Sequence, residues 1–368
     1  MTNQQSPNAV YRGQIIYMYA FDIAYDMKRQ PITELLGCQA REYSLSTNKR
    51  SPKQLFFYRP QLFVLPSREC KLDGKIITVQ PSVKVFGVGA ISVQFRIPFE
   101  VQRLEELVAF HSVKLDGLTI EEQLTKLAQE VFEQLKPHCI KPADNFKQAE
   151  DYTVFCIEPF SGGSPAEDWL KTNEHIVAGI LTEEQDSGNL SRQEASESTQ
   201  QYVSYYKNDL VVVDWDAALV IGERQSLNEI LHIMELANVQ LVELEAYDRI
   251  LDNSLETAYR DLALLKNVSR QLQQRLREIR IDTARLSDEL ANTTKFLGDW
   301  YLAAVYSRIS SRFHLSDWNS VIREKLKALA DLYQMLQQDW TNYLMLWLEI
   351  AIVLLFVIDL VILIVTAK

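Results

Sequence analysis

One stretch constrains this chain more than any other: Tyr343–Ala367, YLMLWLEIAIVLLFVIDLVILIVTA, in which only Glu349 and Asp359 carry charge. At about 1.5 Å per residue, roughly 20 helical residues cross a hydrocarbon core about 30 Å thick. The length predicts one membrane-spanning helix over 343–367. A buried core helix is the competing reading, but such helices rarely carry so many consecutive Ile, Leu and Val residues at a chain terminus. Trp340, Tyr343 and Trp347 cluster at one end, where amphipathic rings prefer the headgroup level, and Lys368 stands at the other as a snorkelling cap.

The N-terminal MTNQQSPNAVYRGQ has no apolar run and one basic residue, Arg12, so no signal or transit peptide is expected. Cys38, Cys70, Cys139 and Cys156 show no CxxC or Cys/His ligand spacing, which fits reduced thiols. The expected topology is a single-pass tail anchor with the N-terminal bulk in the cytosol, in a bacterial inner membrane or an organelle membrane. Arg323, Lys325 and Lys327 lie well before the span and support that orientation only weakly. The net charge of -11 argues against broad adhesion to nucleic acid, so no nucleic-acid partner is expected.

A carboxylate at membrane depth costs on the order of 3 kcal/mol and usually faces a partner or water. Glu349 and Asp359 are ten residues apart and point about 80° away from each other on a helix. One reading puts Glu349 at the interface and Asp359 protonated or paired in an oligomer. The other lines an ion path through several chains with both.

Ahead of the span, Ile322, Leu326, Leu329, Tyr333, Leu336, Trp340, Tyr343 and Trp347 recur at alternating spacings of 4 and 3, a heptad seam without Pro or Gly. It predicts one continuous helix from near Asp317 into the bilayer. Leu265, Val268, Leu272, Leu276, Ile279, Thr283, Leu286 and Leu290 make a second seam, and a turn around Arg312 to Ser316 would separate the two helices. The seams pair within one chain as a hairpin, or between chains as a homo-oligomer; a mixture is expected, with the membrane-proximal part intermolecular.

The remainder reads as an α+β head. Residues 11–23 and 91–97 are strand patterns, followed by helical patterns at 99–111 and 120–136, a strand at Tyr152–Ile157, a helix from Ser164 and strands around 201–222. A compact sandwich related to the ferredoxin-like arrangement is expected. The polar, acidic stretch 183–200 reads as a flexible loop. The expected organisation is a head over 1–250, a helical hairpin or coiled coil over 251–342, and the span over 343–367.

No catalytic, cofactor-binding or metal-ligating residue is expected. Gly162 and Gly163 in SGGSPAED could present N–H groups to an anion, but Ser164, Pro165 and Glu167 read better as a helix start, and no Walker lysine follows. Asp214 and Asp216 in a strand would share one face and could hold a cation; a solvated hairpin face is the plainer reading. His138 and Cys139 adjoin without forming a dyad, and His111, His175, His232 and His314 are isolated.

RLSDELANTTKFLGDWYLAAVYSRISSRFHLSDWNSVIREKLKALADLYQML from Arg285 and WLEIAIVLLFVIDLVI from Trp347 resemble the C-terminal pattern of the required-for-meiotic-nuclear-division family of membrane-anchored proteins. NDLVVVDWDAALVIG and ELANVQLVELEAYDRIL are similar to that family's strand and following helix. The family has no agreed catalytic residues, so the resemblance implies anchored scaffolding more than chemistry. The function expected is a non-enzymatic oligomeric scaffold whose head binds another protein at the membrane surface. An oligomeric channel or transporter subunit lined by Glu349 and Asp359 is the alternative, and a nucleotide- or metal-dependent enzyme ranks last.

Overall fold

A computed structural model describes residues 10–42, 60–72, 74–143, 149–159, 165–263, 277, 280, 281, 284 and 300–366. Two compact units emerge: Met1–Glu243 with Glu289–Ser316, and Leu244–Asp288 with Asp317–Lys368.

The first unit is built on a sheet that, among the described residues, has ten strands: β1 (Tyr11–Asp22), β2 (Arg41–Glu42), β3 (Gln61–Val64), β4 (Arg68–Leu72), β5 (Lys75–Val85), β6 (Ala90–Val101), β7 (Glu150–Ile157), β8 (Tyr202–Val203), β9 (Leu210–Val213) and β10 (Ala217–Ile221). Their order is β8-β9-β10-β7-β1-β6-β5-β3-β2, with β4 also on β5. The pairs are antiparallel except β7 with β10. That parallel pair needs a crossover, supplied by α2 (Ala166–Thr172), α3 (Glu174–Leu181) and α4 (Arg192–Thr199) before β8 and β9. The mixture of α and β is as expected; the sheet is wider than a compact ferredoxin-like sandwich.

Central β1 reads IIYMYAF, an apolar run without alternation, because both faces of the sheet are covered. Ile15, Tyr17, Tyr19 and Phe21 enter one core with α1 (Ile120–Leu135), α3 and a 3-10 segment, Leu104–Ser112. The start of α1 is closed by a capping box, in which Thr119 Oγ1 accepts from Glu122 N at 3.1 Å and Glu122 Oε2 accepts from Thr119 N at 2.9 Å. Ile16, Met18 and Ala20 point to the other face and are equally buried. There the unit places residues 224–243 of α5 (Arg224–Ala263) and α6 (Trp300–Arg312). Gln94, Arg96 and Glu150 of the sheet bond Glu235, Asn228 and Asn238 of α5.

One local reading changes. The stretch 183–200 is not all loop: Ser191 Oγ accepts from Glu194 N at 3.0 Å, a local cap that starts α4 inside it. The strand β5 carries no clean alternation at its end, since Ser82 and Lys84 are buried beside Val83 and Val85.

In the second unit, α5 continues from Leu244 to Ala263 and α7 (Leu315–Thr366) from Asp317 onward. Neither helix contains Pro or Gly. The turn between α6 and α7 falls at Phe313 and His314, with His314 at φ 50. The seam at 265–290 lies outside the described residues.

Candidate membrane anchor and buried polar sites

The segment Thr341–Asp359 of α7 is long and apolar enough to cross a membrane, and none of it is buried against the chain. Tyr343 and Trp347 stack edge-on with centroids 6.3 Å apart, four residues and one helical turn from each other. Glu349 and Asp359 are exposed on the same helix. The Trp340 side chain and Lys368 lie outside the described residues.

Toward its start the seam behaves differently. Ile322, Leu326 and Leu329 are buried, while nothing is described of the Tyr333 and Leu336 side chains. Lys325 forms ion pairs with Asp248 at 2.6 Å and Asp252 at 2.7 Å, carboxylates one turn apart on α5. Burial alone would lower the Lys325 pKa, but the two carboxylates outweigh it and raise it. The seam is thus buried at Ile322, Leu326 and Leu329 and exposed at Tyr343 and Trp347.

The first unit holds three polar clusters that the linear sequence did not reveal. On the face under α5, Lys84 is paired with Glu235, whose side chain is 0% exposed, and Gln94 Nε2 donates to Glu235 Oε1 at 2.7 Å. His232, one turn earlier on α5, is held neutral: burial, then the nearby Lys84 charge, push its pKa well below the usual histidine value.

Asp214 sits in the turn between β9 and β10, not in a strand, so it and Asp216 do not form a paired cation face. Asp214 is buried, accepts from Trp215 N at 2.8 Å and from Arg312 Nε at 2.5 Å, and is thereby neutralised. Phe313 and His314 pack on Trp215 with centroids at 6.2 and 5.9 Å, and Tyr152 donates to the carbonyls of Asp214 and Ala217 at 3.1 Å each. The solvated hairpin face describes Trp215 and Asp216 but not Asp214, because Arg312, 98 residues away, closes over it.

Asp216 belongs to the third cluster, with Asp151, Glu183 and His111. His111 Nδ1 lies 3.0 Å from Glu183 Oε1, and its Nε2 lies 2.7 Å from the Ile180 carbonyl. Asp151 and Asp216 are exposed as whole residues, and partial burial of their carboxyls, then neighbouring carboxylates, raises their pKa values. Among the described residues no three His, Cys, Asp or Glu groups converge as metal ligands.

Cys139 is buried, with its thiol 3.3 Å from the Leu135 carbonyl, and burial pushes its pKa up, the opposite of what a nucleophile beside His138 needs. Cys38, Cys70, Cys139 and Cys156 are free thiols, the last three buried. Gly162, Gly163 and Ser164 lie outside the described residues.

No solved structure matches this chain. The uncharacterized protein MJ0711 of Methanocaldococcus jannaschii is 26% identical over 246 residues, which cover 65% of this chain and 73% of that protein. Residues 12–227, from β1 to the start of α5, match the family described as "Uncharacterized protein MJ0711, N-terminal domain", and the chain belongs to that family.

Proposed function

We propose that this protein is a membrane-anchored, oligomeric scaffold whose α/β head presents a protein-binding surface at the cytosolic side of the bilayer. The observation that carries the reading is α7: its early seam is buried and pinned by Lys325, whereas Thr341–Asp359 is apolar and wholly uncovered. An uncovered segment of nineteen residues, apolar apart from Thr341, Asn342, Glu349 and Asp359, is poorly suited to water and matches the bilayer. The free cysteines favour a reducing compartment for the head. α5 beyond Leu244 and the early turns of α7, joined through Lys325, are read as the helical pair between head and span, α6 belonging to the head. The resemblance to the required-for-meiotic-nuclear-division family points the same way, toward anchoring without dedicated chemistry.

The test is fractionation of the full chain beside one ending at residue 340. The full chain remains in the pellet after alkaline carbonate and the shorter one is released; release of both would sink the anchor. A second reading, a channel subunit, rests on Glu349 and Asp359 being exposed in the span. It requires ion flux in vesicles that falls with Asp359→Asn, and the scaffold requires none.

A further inference from the structure

We infer that the Glu349/Asp359 face of the α7 span docks a transmembrane helix of another protein, one carrying a Lys or Arg within the hydrocarbon. The inference rests on the anchor reading above and deepens it.

Three observations carry it. Extended at the same spacing, the seam passes from Tyr343 and Trp347 through Ile350, Leu354 and Val357, all exposed. At about 100° per residue, Glu349 lies about 120° and Asp359 about 160° from the mean direction of these five residues. The helix thus has two separate faces, a seam able to meet a like helix and a carboxylate face turned from it. A bundle closed along the seam turns both carboxylates outward, so it does not place them around a central pore.

Depth is the second observation. Along the continuous helix from Tyr343 to Thr366, Glu349 lies about 8 Å and Asp359 about 7 Å on opposite sides of the midpoint. Neither reaches the headgroups at the end of a short stem, so an ionised Asp359 facing lipid is strongly disfavoured.

Charge complementarity selects the occupant. Glu349 and Asp359 are the only charged residues between Tyr343 and Thr366, so a second copy of this chain brings two more carboxylates at the same depth and no cation. A Lys or Arg on a foreign helix neutralises Asp359 and supplies donors to its oxygens. The seam remains open for self-association, so one copy binds a like chain and a foreign one on different faces.

The test reconstitutes the full-length chain in phosphatidylcholine vesicles with a synthetic Leu/Ala-rich transmembrane peptide bearing one central Lys, or Leu in its place. Association is read by energy transfer between labels on the peptide and on the head. The Lys peptide should associate about tenfold more strongly than the Leu peptide, as one intramembrane polar contact allows. Asp359→Leu should abolish that preference, and Leu354→Ala should leave it in place. Equal association of the two peptides, or a preference that survives Asp359→Leu with Glu349→Leu, overturns the inference. So does disulfide crosslinking of Phe356→Cys chains as fast as Leu354→Cys chains, since a second copy would then cover the carboxylate face. Co-flotation of the chain with the vesicles is read in the same samples; its failure removes the anchor itself, whereas intact flotation without Lys preference removes only the partner.

Discussion

Glu235 shows how a residue's role here depends on what covers it. In LHIMELANVQL it is one acidic residue in an apolar run, and Lys84 in PSVKV is one basic residue in a strand. They are 151 positions apart and meet only when α5 lies across β5. A buried pair stabilises little against apolar residues of like volume, but removing one partner strands the other charge. Glu235→Leu should cost about 3–5 kcal/mol in urea unfolding, and adding Lys84→Met should restore most of it. His232 sets the pH behaviour of the same face. Its depressed pKa means the unfolded state binds the proton more readily below about pH 6.5. Stability should be full above that pH and fall by up to about 1.4 kcal/mol per pH unit below it, a slope that His232→Leu flattens in denaturation at stepped pH. Asp151 and Asp216, with raised pKa values, act in the opposite sense and lose stability as pH rises through those values.

At the scale of elements, the strongest local patterns were legible and the composite ones were not. β1, β6, α1 and β7 announce themselves by apolar runs, alternation or helical periodicity, and each lies within a few residues of its expected place. β5 escaped because Ser82 and Lys84 interrupt its apolar pattern, and Lys84 finds Glu235 only when α5 covers it. α4 escaped because a polar helix of eight residues has no apolar stripe to read. The seam of α7 was legible; the 265–290 seam expected beside it lies outside the described residues. Lys325 joins the first turns of α7 to α5 by reaching two carboxylates there. Lys325→Met should cost about 1 kcal/mol, since Asp252 is well exposed and its share is screened, and should speed amide exchange over 317–330. Unchanged exchange there would assign the pinning to Ile322, Leu326 and Leu329 instead.

For the whole molecule, the sequence by itself determined that the chain combines an α/β head with long helices and an apolar terminal helix. Those conclusions follow from period, length and composition, which are local properties of the chain. Tertiary structure decided which polar residues are buried and paired, because Lys84 with Glu235, Arg312 with Asp214 and Lys325 with Asp248 join residues 151, 98 and 77 positions apart. It also decided that one α7 seam has two fates, covered by the chain's own residues near Ile322 and uncovered from Tyr343 onward. Periodicity reports that a helix has an apolar face; what that face meets is set by the chain packed against it or by the surrounding solvent.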